Sequence, residues 1–135
     1  MSIELQPLTS SIRNRVALLR FTGILSLRDV AELKANLKRL LRDGCTHLLL
    51  DLEEVKDIDE AGWALLVSTV RKLRKQNGQG VIRTCPDDLY EHLKVRKWDR
   101  DFLFPMRFKD HLAALPLDLQ SYFSPVSPPA GAVAA

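Results

Sequence analysis

The segment His47-Leu48-Leu49-Leu50-Asp51-Leu52 constrains the fold more than any other stretch of this chain. It is apolar on both alternating faces, which suits a central strand covered on both faces or along most of one. An acidic loop is expected over residues 53–59, and a segment with helical spacing follows over residues 61–77. A strand therefore feeds a loop, and the loop opens a helix whose mouth carries Asp59 and Glu60. A helix start exposes unpaired backbone N–H groups and the positive end of the helix dipole. Proteins hold anions at such places, phosphate groups included.

The remaining elements arrange themselves around that unit. Residues 3–9 predict a weak first strand, and Pro7, which cannot donate to a ladder, places it at a sheet edge. Residues 15–21 predict a second strand, with a turn at Thr22-Gly23 and pairing continued by Ile24 and Leu25. Ser26 is a suitable N-cap for a first helix, and Asp29 and Glu32 put acid into its first turns. Val30, Leu33, Leu37, Leu40 and Leu41 form its apolar stripe, and Gly44 stops it. Trp63, Leu66, Val70 and Leu73 form the stripe of the second helix. Residues 81–84 predict a strand, and Pro86 with Asp87-Asp88 opens a short third helix packed by Leu89, Leu93 and Tyr90. Phe102, Phe104, Met106 and Phe108 alternate over a last strand with Pro105 as an edge mark, and a last helix runs over 109–115. The order β-β-α-β-α-β-α-β-α predicts an α/β fold: a small mixed sheet with about four helices packed on it. The domain is expected over residues 1–115, and residues 116–135, rich in Pro and Ala, as a disordered or loosely attached tail.

Composition narrows the function classes. The chain has 135 residues, enough for one domain, and its hydrophobic fraction of 46% supports a real core. A net charge of +3 is too mild to imply direct nucleic-acid binding. No apolar run of about 18 residues exists to span a membrane. The start Met-Ser-Ile-Glu-Leu-Gln lacks a basic region followed by an apolar one, so a cytoplasmic location is expected. Cys45 and Cys85 read as free thiols, and His47, His92 and His111 have no metal-ligand spacing among themselves. No cofactor or metal site is expected, and no constellation supports an enzyme.

On Gly23, the helix ending at Gly44, the strand 47–52 and Asp59-Glu60-Ala61-Gly62, the chain resembles the STAS domain family, the fold of bacterial anti-sigma factor antagonists. The resemblance covers about residues 16–115. The family reads Asp-Ser-Ser-Gly or Asp-Ser/Thr-x-Gly after a Leu-x-x-Asp-Leu strand; here the strand is Leu48-Leu49-Leu50-Asp51-Leu52 and the motif begins at Asp59. In the family an anti-sigma kinase phosphorylates the Ser or Thr after the Asp, and the phosphate blocks partner binding. That position is Glu60 here, followed by Ala61, and neither accepts phosphate. A glutamate carries one charge where phosphoserine carries about −1.5 to −2 and three acceptor oxygens. Glu60 therefore either mimics the phosphorylated state or marks loss of that control.

The resemblance implies a non-catalytic partner-switching regulator that binds an anti-sigma factor of the histidine-kinase-like type. The partner interface is expected at Asp59, Glu60, Ala61, Gly62 and Trp63, together with the turn carrying Ser26 and Asp29. Helix capping is the plain reading of Asp59 and Glu60 and is compatible with that role. At helical spacing Trp63 belongs to the core; turned outward it would be an aromatic anchor beside Glu60. Arg71, Lys72, Arg74 and Lys75 read as a solvated face, and Lys94, Arg96, Lys97 and Arg100 as a second basic group around Trp98. The alternative function is a STAS subunit that steadies a membrane transporter, of the lipid-trafficking ABC or anion type.

Overall fold

A computed structural model describes residues 2–10 and 15–123. Five strands form one sheet in the order β1-β2-β3-β4-β5: Ser2–Ser10, Arg15–Leu25, His47–Ile58, Gln79–Thr84 and Phe102–Leu103. β1 runs antiparallel to β2, and the other three pairings are parallel. The parallel strands are joined by α1 (Val30–Arg42), α2 (Glu60–Lys75) and α3 (Asp87–Val95). Each crossover moves one strand further in the same direction, and crossovers are right-handed. All three helices therefore stack on one face of the sheet. The buried cluster on that face agrees: it joins Leu33 and Leu37 of α1, Trp63, Leu66 and Val70 of α2, and Leu89 and Leu93 of α3.

Strand alternation then assigns the two faces. Ala17, Leu19 and Phe21 of β2, with Leu48, Leu50 and Leu52 of β3, point to the three helices. Val16 and Leu18, with Leu49 and Val81, point the other way. That second face is covered by the C-terminal segment, α4 (Lys109–Ala113) and α5 (Leu117–Gln120), through Leu112, Leu115, Leu119 and Phe123. The doubly apolar strand at 47–52 is thus a central strand covered on both sides, as its pattern allows.

The structure differs from the sequence expectation in several places, among them the start of α1 at Val30, with residues 27–29 forming a 3-10 turn ahead of it. β3 does not end at residue 52 but runs to Ile58, pairing with Thr22–Leu25. Val55 and Ile58 are buried while Glu53, Glu54, Lys56 and Asp57 face out, and two register shifts in the β2–β3 ladder hide this from a simple alternation. β5 is only two residues long. After it Phe104 accepts hydrogen bonds from the backbones of Arg107 and Phe108, so the Phe-x-Phe alternation becomes a turn around Pro105. Finally, the packed chain does not stop at residue 115. Leu119 and Phe123 are buried, so residues 117–123 belong to the domain; residues 124–135 of the expected tail lie outside the described residues. At the other edge, the β1–β2 pairing changes register between Pro7 and Thr9, where proline removes a ladder donor.

Candidate functional site

The start of α2 is built by the ends of two parallel strands. β3 delivers Ile58 to the core, and the next backbone N–H, that of Asp59, donates to the carbonyl of Leu25 at 2.8 Å. This bond ties the end of β2 to the mouth of α2. Asp59 is extended (φ −61°, ψ 152°), and its Oδ1 accepts from the Ala61 N–H at 3.3 Å, the geometry of an N-cap. Its carbonyl accepts from the Trp63 N–H at 3.0 Å and so starts the helix. Asp57 Oδ1 accepts from the Ile58 N–H at 2.9 Å, which puts a third carboxylate at this end.

The turn after β2 lies alongside. Gly23 has a φ of 84°, which an L side chain rarely adopts, and it lets β2 bend before Ile24. Ser26 precedes a 3-10 turn over Leu27–Asp29 that leads into α1. Asp29 Oδ2 accepts from the Ser26 N–H at 2.9 Å and from the Ser26 hydroxyl at 3.1 Å. The backbone bond from Ser26 chiefly holds the Asp29 carboxyl below its ordinary pKa. Two apolar side chains stand in solvent here, Ile24 at 55% exposure and Leu27 at 68%.

Of the residues expected at the site, the structure gathers Asp59, Glu60 and Ala61 with the Ser26–Asp29 turn at one end of the sheet. It removes Trp63 from any outward role: the indole is fully buried and meets Phe102 edge-on, with ring centroids 6.4 Å apart. Gly62 is buried too, because α2 presses on β2 here. A Cβ at Gly62 would lie 2.7 Å from Leu25 Cδ2 and 3.1 Å from Ile58 Cγ2. Both residues therefore support the surface and do not form it.

Sequence reasoning missed the partner of Glu60. Glu60 Oε1 forms an ion pair with Arg96, the residue that closes α3, and Arg96 lies over the Trp98 ring at 5.7 Å. In the sequence Arg96 reads with its basic neighbours, and nothing local ties it to a glutamate in another helix. Each charge sits where a helix dipole favours it, the acid at the mouth of α2 and the cation at the end of α3.

Residues 59–63 are Asp, Glu, Ala, Gly and Trp, so the mouth itself offers no hydroxyl or thiol to modify. Cys45 and Cys85 are free, and burial pushes their thiols up to about 11 and about 12, which keeps them protonated near neutrality. Among the described residues no group of His, Cys, Asp and Glu is placed to hold a metal ion, and no helix is long and apolar enough to cross a membrane.

Comparison with known proteins agrees with this architecture. The phosphorylated form of SpoIIAA, a Bacillus cell-fate determinant, superposes with a TM-score of 0.62 at 15% identity, covering 76% of this chain and 90% of that one. An anti-sigma factor antagonist from Mycobacterium paratuberculosis gives 0.59 at 20% identity, covering 82% and 93%. A putative anti-sigma factor antagonist from Thermotoga maritima gives 0.61 at 18% identity, covering 66% and 77%. At such identities the likeness is one of fold. No curated protein sequence matches the chain. The STAS domain family model, however, matches residues 8–114, nearly the whole packed unit, and the chain belongs to the STAS domain family.

Proposed function

We propose that this domain is a non-catalytic, cytoplasmic partner-switching regulator of the anti-sigma factor antagonist kind, and that its partner is an anti-sigma factor of the histidine-kinase-like type. The observation that carries the reading is the surface at the start of α2, where exposed Ile24 and Leu27 stand beside Asp57, Asp59 and Glu60. Solvent-exposed apolar side chains rimmed by charge have the composition of a protein-binding patch. Binding there would occupy the sigma-binding site of the partner and release sigma. The mechanism is mass action between two binders, with no bond made or broken in this chain.

By the family resemblance, Glu60 stands at the position that a kinase phosphorylates in antagonists of this kind. Its single charge is matched inside the molecule by Arg96, so Glu60 itself does not add the unpaired charge that a phosphoryl group would bring. This supports a domain that engages its partner without phosphate control, rather than one held permanently in a phosphorylated-like state.

Affinity purification of the tagged chain from its own cells, followed by mass spectrometry, tests the reading. An ATP-binding anti-sigma kinase is the expected protein. An ABC-type ATPase or an anion transporter in its place would replace this reading with that of a transporter subunit. Calorimetry with the recovered kinase should then show weaker binding by Glu60→Lys, and an unchanged affinity would move the interface elsewhere.

A further inference from the structure

The cationic end of α2 is not the simple solvated face that its sequence suggests. Arg71 donates to both carboxylate oxygens of Asp101, from Nε at 3.0 Å and from Nη2 at 3.1 Å. Arg74 donates to the same carboxylate from Nη1 at 3.2 Å. The Asp101 side chain is only 8% exposed, while the two guanidinium groups are 58% and 53% exposed. One buried carboxylate thus grips two arginines and turns the rest of each fork toward solvent. Outside these bonds Arg71 keeps its Nη1 hydrogens, and Arg74 keeps those of Nε and Nη2.

Charge does not balance here. Arg71 and Arg74 meet the 3-10 turn Trp98–Asp101, which itself carries Arg100, and the acids of that turn are Asp99 and Asp101. Arg74, Asp101 and Arg100 line a cleft of about 350 Å³ with Asn77, Gln79 and Phe102. A shallower groove over Arg71, Arg74 and Lys75 adjoins it, sharing Arg74. The backbone in the cleft is already used: Gly78 N–H donates to the Leu73 carbonyl and Gln79 N–H to that of Thr46. The cationic donors in the cleft are therefore the Arg74 and Arg100 side chains.

From this geometry we infer that the cleft between the end of α2 and the Trp98–Asp101 turn binds the phosphate group of a small ligand, with Arg74 and Arg100 as the contacting residues and Asp101 as a positioning residue. Planar guanidinium groups fit phosphate oxygens with paired hydrogen bonds, and holding them in place beforehand lowers the ordering cost of binding. The volume suits a small molecule. A flat bilayer would meet the lysines on the outer face of α2 but could not enter the cleft.

Titration of the full chain with inorganic phosphate at constant ionic strength, followed by NMR, tests this. Saturable shifts are expected at the Arg71 and Arg74 Nε–H groups and at the Asn77 and Gly78 amides, while the Trp63 indole stays still. Arg100→Gln makes none of the bonds to Asp101 and so should fold normally, and it should weaken phosphate by about tenfold. Asp101→Asn should also weaken it, although it removes a repelling charge, because the guanidinium groups lose their anchor. Tighter binding by Asp101→Asn overturns the positioning role. Equal shifts with sodium chloride overturn the site, as does binding only to phosphatidylserine vesicles.

Discussion

Glu60, the first residue of α2, is ion-paired with Arg96, the residue that closes α3. The pair joins two helices that share no sequence neighbourhood, at the surface where a partner is proposed to bind. Glu60 is 53% exposed and Arg96 is 38% exposed, so water screens the pair. Exposed pairs are worth about 0.2–1 kcal/mol. A double-mutant cycle with Glu60→Ala and Arg96→Ala, read by urea denaturation, should give a coupling in the lower half of that range. In contrast, Arg96→Ala should lower the affinity for the proposed partner, because it uncovers the Glu60 charge and makes the mouth more phosphate-like. Stability that barely moves while affinity falls would separate a regulatory contact from a structural one.

Two glycines should respond to alanine in very different degrees. A Cβ at Gly62 would press on the end of the Leu25 side chain, which can rotate away, and alanine is the better helix former by about 1 kcal/mol. A Cβ at Gly78 would overlap the carbonyl oxygen of Thr46, which is backbone and already accepts the Gln79 N–H. Gly62→Ala should therefore cost about 1 kcal/mol or less, and Gly78→Ala about 3 kcal/mol or more. Denaturation midpoints of the two variants check the ordering.

His47 gives the domain a pH dependence near neutrality. The ring is buried at the start of β3, and burial chiefly lowers its pKa below the ordinary 6.5. Its Nδ1 lies 2.9 Å from the Thr46 hydroxyl, and Asp118 and Gln79 partly oppose the shift. The folded protein then binds a proton less readily than the unfolded chain. Stability is full above pH 6.5 and falls as pH drops below it, until the folded-state value is reached. His47→Gln should flatten the melting temperature between about pH 7 and pH 5 relative to the parent.

Leu119 should behave as a core residue. It is fully buried against Val16, Leu18, Leu49 and Val81 on the face opposite the three crossover helices. Leu119→Ala should cost about 2–5 kcal/mol. The nearby but 84% exposed Leu117 should tolerate alanine at less than about 0.5 kcal/mol. Parallel thermal melts of the two variants make the comparison.

Much of the fold was legible because its signals are local. The doubly apolar run at 47–52 suited a covered central strand, and helical stripes ended by Gly44 and by the turn residues at 76–80 suited crossover helices. Asp59 showed its capping role in its place before the stripe, and the bond to the Ala61 N–H bears that out. The acidic extension of β3 was not legible, since its pairing with β2 slips register twice and local alternation is lost. Nor was the covering role of residues 117–123, where a short apolar spacing in a proline-flanked segment has meaning only against the sheet face it meets.

The sequence alone thus determined the α/β class, the central strand and the acidic helix mouth, because periodicity and capping depend on neighbours within a few residues. Tertiary structure decided which charges meet. Arg96 reached Glu60, and Arg71 and Arg74 reached Asp101, since each contact depends on how one helix is set against the next element. Such contacts leave no periodic trace in a single chain, and they separate the proposed recognition surface at one end of α2 from the cationic cleft at the other.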